Sequence, residues 1–296
     1  MRALYALPLL LLAFADCCSA AETPGEEQQI CLTRDARCGQ VLTRCQINGK
    51  PMTLLVDTGA THTVLHTSVA AEKLPDAEKM DTSRVQFNSS SSRQRPDILL
   101  VSLTLDKRVF RNQPVLVLPL DGVRAAMETP IDGILGMDVL KEMSFTLDFR
   151  KKGESKWKEV KDSSAKAVAL KGHPDAGFCP MLTVKAGDKE ISEVLLDSGS
   201  SVTVLAEADW SAGVEGTVEA NLADVNGGRK EGVRVGCAAD LELAPGVKQK
   251  VRPQLGAGNR QGINGLVGVD ALAGLRLVYT PEKGFYLLVK DSKKKK

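Results

Sequence analysis

Aromatic residues are scarce in this sequence: they make up 4% of its 296 residues. Charge of one sign is also scarce, because basic and acidic residues nearly balance and leave a formal net charge of +2. A nucleic-acid-binding surface needs a strong basic field and, for single strands, aromatic side chains on which bases stack. We therefore expect no nucleic-acid partner.

Long apolar runs are missing too, with one exception at the N-terminus. Ala3–Ala15 contains no charged residue, follows the positive Arg2 and precedes the small residues Ser19–Ala21. Its 13 residues are too few to cross a bilayer comfortably, and the arrangement is typical of a cleaved secretion signal. We predict a signal peptide over residues 1–20, a secreted or periplasmic protein, and no membrane span.

The cysteines number seven, and two of them fall in the predicted signal peptide. Cys17 would be the lipidated residue of a lipoprotein signal, although Asp16 directly before it fits such a signal poorly. Export permits disulfides, and the five remaining cysteines leave at least one thiol unpaired or paired between molecules. The seven-residue intervals between Cys31, Cys38 and Cys45 suggest one bridge among these three.

Several catalytic motifs are absent. The sequence has no GxSxG, no HExxH and no CxxC, which argues against serine hydrolases, zinc proteases and zinc sites. His62 and His66 lie four residues apart, but the surrounding stretch predicts a strand and offers no third ligand. We expect no metal and no cofactor.

What the chain does contain is an internal repeat. Thr53–Leu65 reads TLLVDTGATHTVL, and Glu193–Leu205 reads EVLLDSGSSVTVL. Downstream, Ile131–Leu140 reads IDGILGMDVL, and Ile263–Leu272 reads INGLVGVDAL. Two motifs that recur in the same order predict two lobes of similar structure.

Between these motifs, short apolar runs alternate with Gly, Pro and Asn, which predicts strands joined by turns such as Asp121-Gly122. We predict an all-β fold with few short helices, among them Ser68–Lys73 and Val139–Glu142. Phe87–Arg95 and Asn226–Gly232 are candidate loops over a cleft. The predicted segments are a signal peptide (1–20), an N-terminal extension (21–37), a first lobe (38–150), a linker (151–176), a second lobe (177–290) and a basic tail (291–296).

Each lobe carries one aspartate in a setting suited to acid–base chemistry. The two triplets are Asp57-Thr58-Gly59 and Asp197-Ser198-Gly199. Two carboxylates that share one proton can take a proton from water and give one to a carbonyl oxygen, as peptide hydrolysis requires. Glycines let two loops approach closely, and the hydroxyls can bond to the facing loop. Gly136 and Gly268 would let a second strand pack behind each loop.

These motifs resemble the aspartic proteases of the pepsin and retropepsin group. DTGAT with ILGMDVL is closer to retropepsins, whereas two lobes in one chain are similar to pepsins. The resemblance implies a bilobal fold with a cleft between the lobes, catalytic residues Asp57 and Asp197, and a polypeptide substrate. It also implies a monomer whose lobes form an intramolecular pseudo-dimer. The flap tyrosine of pepsins has no counterpart here.

The sequence thus predicts a secreted aspartic endopeptidase acting on extracellular proteins, and the alternative is a secreted binding protein that keeps the fold without turnover. We expect Asp138 and Asp270, which recur in the second motif, to cap short helices. Ser200 can donate a hydrogen bond to the carboxylate of Asp197, and Ala60 at the matching place cannot. This difference predicts a mildly acidic optimum, roughly pH 4 to 6.

Overall fold

The computed structural model describes residues 32–81, 96–151, 153–173, 177–220, 230–256 and 262–290. These residues fold into 22 strands and a few short helices, which confirms the predicted all-β class. Outside them lie the predicted signal peptide, residues 21–31 of the N-terminal extension, Phe87–Arg95, residues 226–229 of the second candidate loop, and the basic tail. Across the described ranges, no helix combines the length and apolar character needed to cross a membrane.

The first lobe is an eight-stranded sheet that curls on itself. Its order is β1-β2-β3-β8-β4-β7-β6-β5, and an additional pairing of β2 with β6 draws it toward a barrel. Its strands are β1 (Leu32–Arg34), β2 (Val41–Ile47), β3 (Lys50–Val56), β4 (Val64–His66), β5 (Glu78–Lys79), β6 (Asp97–Leu105), β7 (Arg108–Leu118) and β8 (Gly133–Leu135). Its helices are α1 (Thr67–Lys73), α2 (Asp121–Ala126) and α3 (Met137–Leu140).

The second lobe is a ten-stranded sheet of matching design. Its order is β15-β16-β19-β14-β20-β13-β12-β17-β18, and β11 pairs with β12 beside this path. Its strands are β11 (Lys171–Gly172), β12 (Pro180–Ala186), β13 (Lys189–Leu196), β14 (Val204–Ala206), β15 (Val214–Ala220), β16 (Lys230–Gly236), β17 (Ala239–Ala244), β18 (Val247–Val251), β19 (Gln254–Gly256) and β20 (Gly265–Val267). Short 3-10 turns span Glu207–Asp209 and Val269–Leu272.

The central strands of the two lobes share one register. In the first lobe β3 runs parallel to β8 and pairs Val56 with Leu135, and in the second β13 runs parallel to β20 and pairs Leu196 with Val267. Both β8 and β20 also pair antiparallel with the strand that follows the aspartate, β4 or β14. The prediction of two similar lobes is confirmed.

Glycine is required where these three strands meet. A Cβ on Gly133 would lie 2.2 Å from the carbonyl oxygen of Val64, and one on Gly265 would lie 3.1 Å from that of Val204. The first separation is far below van der Waals contact, so β8 can sit beside β4 only without a side chain there. This close packing explains the glycine in the Ile-x-Gly part of each repeat.

A third sheet joins the lobes. Its order is β10-β22-β21-β9, and its strands are β9 (Phe145–Asp148), β10 (Ala165–Ala169), β21 (Arg276–Thr280) and β22 (Gly284–Lys290). The few aromatic residues gather here, because Phe145 from the first lobe stacks on Tyr279 at 5.5 Å between ring centroids and Tyr279 packs on Phe285 at 4.5 Å. The predicted linker, 151–176, contributes β10 and β11, and the exact lobe boundaries remain a prediction.

Candidate active site

The two Asp-x-Gly loops meet between the lobes. Asp57 directly follows β3, and Asp197 directly follows β13. A Cβ on Gly199 would lie 2.2 Å from Cγ of Asp57, and a Cβ on Gly59 would lie 2.5 Å from Cγ of Asp197. Each carboxyl group therefore packs against the bare glycine of the opposite loop, and any larger residue would push the loops apart.

Four buried hydrogen bonds tie the loops together. The backbone N–H of Thr58 donates to Oγ of Ser198 (3.0 Å), and the N–H of Ser198 donates to Oγ1 of Thr58 (3.1 Å). The Thr58 hydroxyl donates to the carbonyl of Leu196 (2.9 Å), and the Ser198 hydroxyl donates to that of Val56 (2.8 Å). The predicted bonding of each hydroxyl to the facing loop is thus present, and it fixes the separation of the two aspartates.

A second glycine backs each loop. A Cβ on Gly136 would lie 2.4 Å from the carbonyl carbon and oxygen of His62, and one on Gly268 would lie 2.5 Å from those of Val202. The segments beyond these glycines hold the loops by backbone bonds, in which the N–H of Met137 donates to Ala60 and that of Val269 to Ser200, both at 2.8 Å. The structure therefore brings together all eight residues predicted for the site.

The two carboxyl groups accept matching backbone hydrogen bonds but differ in pKa. Oδ1 of Asp57 accepts the N–H groups of Gly59 (2.8 Å) and Ala60 (3.0 Å), and Asp197 accepts those of Gly199 (2.7 Å) and Ser200. Burial raises the pKa of both groups. Their mutual hydrogen bond lowers the pKa of Asp57, whereas burial and then the charge of Asp57 lift the pKa of Asp197 well above its usual range. The pKa of Asp197 therefore lies further above its usual value than that of Asp57.

Comparison with known families supports this assignment of the motifs. Residues 43–139, which include Asp57 and Gly136, match the family model described as aspartyl protease. This part of the first lobe is similar to aspartyl proteases. The resemblance to the pepsin and retropepsin group is therefore confirmed, and the second motif around Asp197 lies beyond the matched residues. No curated protein matches the chain.

The second lobe departs from the sequence prediction at Ser200, the residue after the Asp197-Ser198-Gly199 triplet. The hydroxyl of Ser200 donates to the carbonyl oxygen of Val202 at 2.8 Å, rather than to the carboxylate of Asp197. This bond closes the local turn, because Oγ also accepts the N–H of Val202 at 3.4 Å. The expected contrast between Ser200 and Ala60 in tuning the carboxyl pKa was wrong.

Asp138 and Asp270 each bind a threonine hydroxyl in the segment that follows the aspartate-bearing loop. Oδ1 of Asp138 accepts the hydroxyl of Thr63 at 2.8 Å, and Oδ1 of Asp270 accepts that of Thr203 at 2.7 Å. The N-caps of α3 and of the 3-10 turn Val269–Leu272 are Gly136 and Gly268, so the prediction that these aspartates cap helices was wrong. Burial raises the pKa of Asp138 to about 6 and also raises that of Asp270.

Two residues of the site escaped the sequence analysis. The buried side-chain amide of Gln40 donates to the carbonyl of Gly199, so it connects the first lobe to the second-lobe loop. Cys179 is fully buried, and burial together with the charges of Asp57 and Asp197 raises the pKa of its thiol. Both residues directly precede the strand that pairs with the aspartate-bearing strand. No local motif marks them, since glutamine and cysteine share no chemistry that a repeat search would detect.

The histidines of the first lobe serve local roles. His66 is the N-cap of α1, and its Nδ1 accepts the backbone N–H of Ser68 at 3.1 Å. Nδ1 of His62 lies 2.8 Å from the hydroxyl of Thr61, and burial lowers the pKa of this imidazole to about 4. Within the described ranges, no three His, Cys, Asp or Glu side chains converge into a cluster suited to a metal ion.

The cysteines are reduced wherever the structure describes them. Cys38, Cys45, Cys179 and Cys237 are free thiols, so the suggested bridge between Cys38 and Cys45 is absent. Sγ of Cys38 instead donates to Oδ1 of Asp35 at 3.1 Å. Cys31, the third member of the suggested set, lies outside the described residues.

Proposed function

We propose that this protein is an aspartic endopeptidase that hydrolyses peptide bonds with a water molecule activated between Asp57 and Asp197. The observation that carries the proposal is the meeting of two buried carboxyl groups from two lobes, each packed against the glycine of the opposite loop. Like-charged groups at such short range resist double ionisation, so they hold one proton between them.

The chemistry follows from the inequivalence of the pair. Asp57, whose charge is stabilised by the N–H groups of Gly59 and Ala60, acts as the base that takes a proton from the attacking water. Asp197 carries the shared proton and gives it to the carbonyl oxygen of the scissile amide. The C–N bond of the tetrahedral intermediate then breaks as Asp57 gives the nitrogen the proton it took from water. Asp197 recovers a proton from a hydroxyl of the intermediate as the carboxyl product forms, so the dyad returns to its starting state.

The setting of the reaction is part of the proposal. The predicted signal peptide supports export, and extracellular or periplasmic polypeptides are then the accessible substrates. Because one chain supplies both aspartates, a monomer contains a complete dyad. Bonds that cross between the loops, such as that from Thr58 to Leu196, support this intramolecular arrangement.

The test uses the chain as secreted by an exporting host, with a denatured protein as substrate. We expect fragments to appear at acidic pH and a peptide mimic with a hydroxyl in place of the scissile carbonyl to block their formation. Asp197→Asn is the inactive control, and chelators and serine-directed reagents should leave the rate unchanged. Binding of the denatured protein without fragments at any pH between 2 and 8 would instead establish the non-catalytic alternative.

A further inference from the structure

Phe178 combines two unusual features. Its backbone lies in the left-handed region, with φ of +65°, where bulky residues are seldom found. Its side chain is 51% exposed, so burial in the core does not compensate for the unfavourable conformation. Strained residues of this kind persist near functional sites more often than elsewhere, which makes Phe178 worth pursuing.

The equivalent residue of the first lobe is a glycine. Gly39 has φ of +74°, and its N–H donates to the carbonyl of Asp35 at 3.0 Å, while the N–H of Asp35 donates to Gln40 at 2.9 Å. The N–H of Phe178 likewise donates to the carbonyl of His173 at 2.9 Å. The turn thus dictates the left-handed conformation in both lobes, and glycine is the residue that suits it.

The turn that carries Phe178 lies against the dyad. Its preceding neighbour, Gly177, approaches the first-lobe loop so closely that an added Cβ would lie 3.1 Å from Cβ of Thr61. Its following neighbour is Cys179, and burial together with the nearby charges of Asp57 and Asp197 raises the pKa of the Cys179 thiol. Phe178 is therefore an exposed aromatic residue held between two residues that reach the active-site loops.

The ring of Phe178 contributes little to packing. Its Cδ1 lies 3.6 Å from the position that a Cβ on Gly172 would occupy, so one edge leans on β11 while half of the side chain remains exposed. At the first-lobe position, the space beside Gly39 is instead bordered by the Arg34 guanidinium at 3.1 Å from an added Cβ. The two equivalent turns therefore differ: one carries an exposed aromatic ring and the other has a guanidinium beside its glycine.

We propose that Phe178 is a specificity-determining residue that contacts a large apolar side chain of the peptide substrate on one side of the scissile bond. This inference rests on the proposed protease function and adds a one-sided preference to it. A substrate side chain that covers the ring would remove apolar surface from water, which favours binding of leucine-sized or aromatic residues at that position. No such preference is expected at the symmetry-related position, where Gly39 has no side chain.

The experiment compares cleavage profiles of a randomised peptide library for the wild type, Phe178→Gly and Phe178→Leu. We expect the wild type to prefer large apolar residues on one side of the cleaved bond. Phe178→Gly should reduce kcat/KM for those peptides about tenfold, chiefly through KM, and leave peptides with small residues there unaffected. Phe178→Leu keeps an apolar wall and should restore most of the preference.

The stability of the variants separates specificity from structure. Because glycine suits the turn, Phe178→Gly should melt at the same temperature as the wild type or higher. A lower melting temperature together with a uniform loss of activity on all peptides would overturn the proposal in favour of a structural role. An unchanged cleavage profile in an active Phe178→Gly variant would overturn it as well.

A calorimetric titration keeps this inference distinct from the proposed function. The probe is a hexapeptide with two central leucines, titrated into wild type and Phe178→Gly. If the wild type cleaves no peptide but binds the probe, and Phe178→Gly binds it about tenfold more weakly, the contact stands and the protease function fails. Equal binding by both proteins, or binding by neither, overturns the contact.

Discussion

In the first lobe the carboxylate of Asp57 accepts N–H groups from Gly59 and Ala60, and in the second lobe that of Asp197 accepts those of Gly199 and Ser200. The pKa of Asp197 is nevertheless raised further, by burial and then by the charge of Asp57. The strands and glycines that place the two groups are nearly identical in register. The side chains next to them differ: Gln40 corresponds to Cys179, Ala60 to Ser200 and Gly39 to Phe178. Matching backbones therefore bring the carboxyl groups together, whereas burial and the charge of Asp57 raise the pKa of Asp197 further than that of Asp57.

The outer frames of the lobes diverge further. Asp132 in the first lobe accepts the N–H of Thr53 at 2.8 Å and pairs with Lys73 of α1 at 2.9 Å. Its counterpart Asn264 donates its amide to the carbonyl of Ser192 at 2.9 Å. Asp132 directly precedes β8 and Asn264 directly precedes β20. The first holds its strand with a carboxylate that accepts hydrogen bonds, and the second with an amide that donates one. The two Asp-x-Gly loops have matching residues because they must place the two carboxyl groups together. The residues that hold the neighbouring strands, such as Asp132 and Asn264, differ between the lobes.

The strongest test of the comparison replaces each aspartate in turn. Asp57→Asn removes the base and Asp197→Asn removes the proton donor, so each should lower kcat/KM by a factor of about a thousand or more. The double variant should be no worse than either single one, because the pair acts as a unit. Rates on a protein substrate provide the measurement, and Asp132→Asn, which copies the second lobe, is the control that keeps its activity. A single variant within tenfold of wild type would contradict the shared mechanism.

The next test concerns the symmetric close approach. Gly199→Ala and Gly59→Ala each place a Cβ less than 3 Å from the opposite carboxyl carbon, so both should separate the loops. We expect a loss of about 1–3 kcal/mol in the free energy of unfolding, together with most of the activity. Denaturant titration and kcat/KM measure the two effects. Gly216→Ala is the matched control, because nothing lies within 4 Å of its added Cβ. Equal stability of Gly199→Ala and Gly216→Ala would count against the geometry.

A third test concerns the buried carboxyl groups of Asp138 and Asp270. Burial raises the pKa of Asp138 to about 6, so the folded state holds this proton more tightly than the unfolded state. The resulting stabilisation is complete below the unfolded value of 3.8 and is lost as the pH rises through about 6. Asp138→Asn should remove this slope, which amounts to about 3 kcal/mol. Unfolding titrations at pH 4 and pH 7 check it, and Asp270→Asn should change the slope in the same direction. Identical slopes in wild type and Asp138→Asn would refute the account.

The smallest effect is expected where the lobes differ by one hydroxyl. The hydroxyl of Ser200 donates to the carbonyl of Val202 and not to Asp197, so Ala60→Ser should form the equivalent bond to the carbonyl of His62. The alkaline limb of the pH–rate profile should therefore stay in place, and stability should change by about 1 kcal/mol or less. A profile recorded from pH 3 to 8 for both proteins decides the matter. A limb displaced toward lower pH would mean that the new hydroxyl reaches Asp57.

Local signals and long-range contacts account for different parts of the prediction. The short helices α1 and α3 lie close to their predicted positions, although α3 begins two residues earlier than expected. Helix α2 differs from the prediction, because Asp121-Gly122 is also a typical turn sequence. The structure starts a helix there, where an acidic residue in the first turn favours the helix dipole. Asp-Gly is compatible with a turn and with the first turn of a helix. Tertiary packing selects between the two, and here the helix buries Val123.

The sequence by itself determined the two-lobed all-β fold, the pair of aspartates and the glycines and hydroxyls beside them. These features are readable because each depends on residue types at fixed spacing within a short segment: a bare Cα for close approach, a hydroxyl for the facing loop. Only the tertiary structure decided that Gln40 reaches Gly199, that Cys179 lies by the dyad, that Ser200 turns to Val202, and that β9 crosses to pair with β21. Such contacts join residues far apart in the chain or select among several partners within hydrogen-bonding reach, and their choice depends on packing that no local pattern encodes.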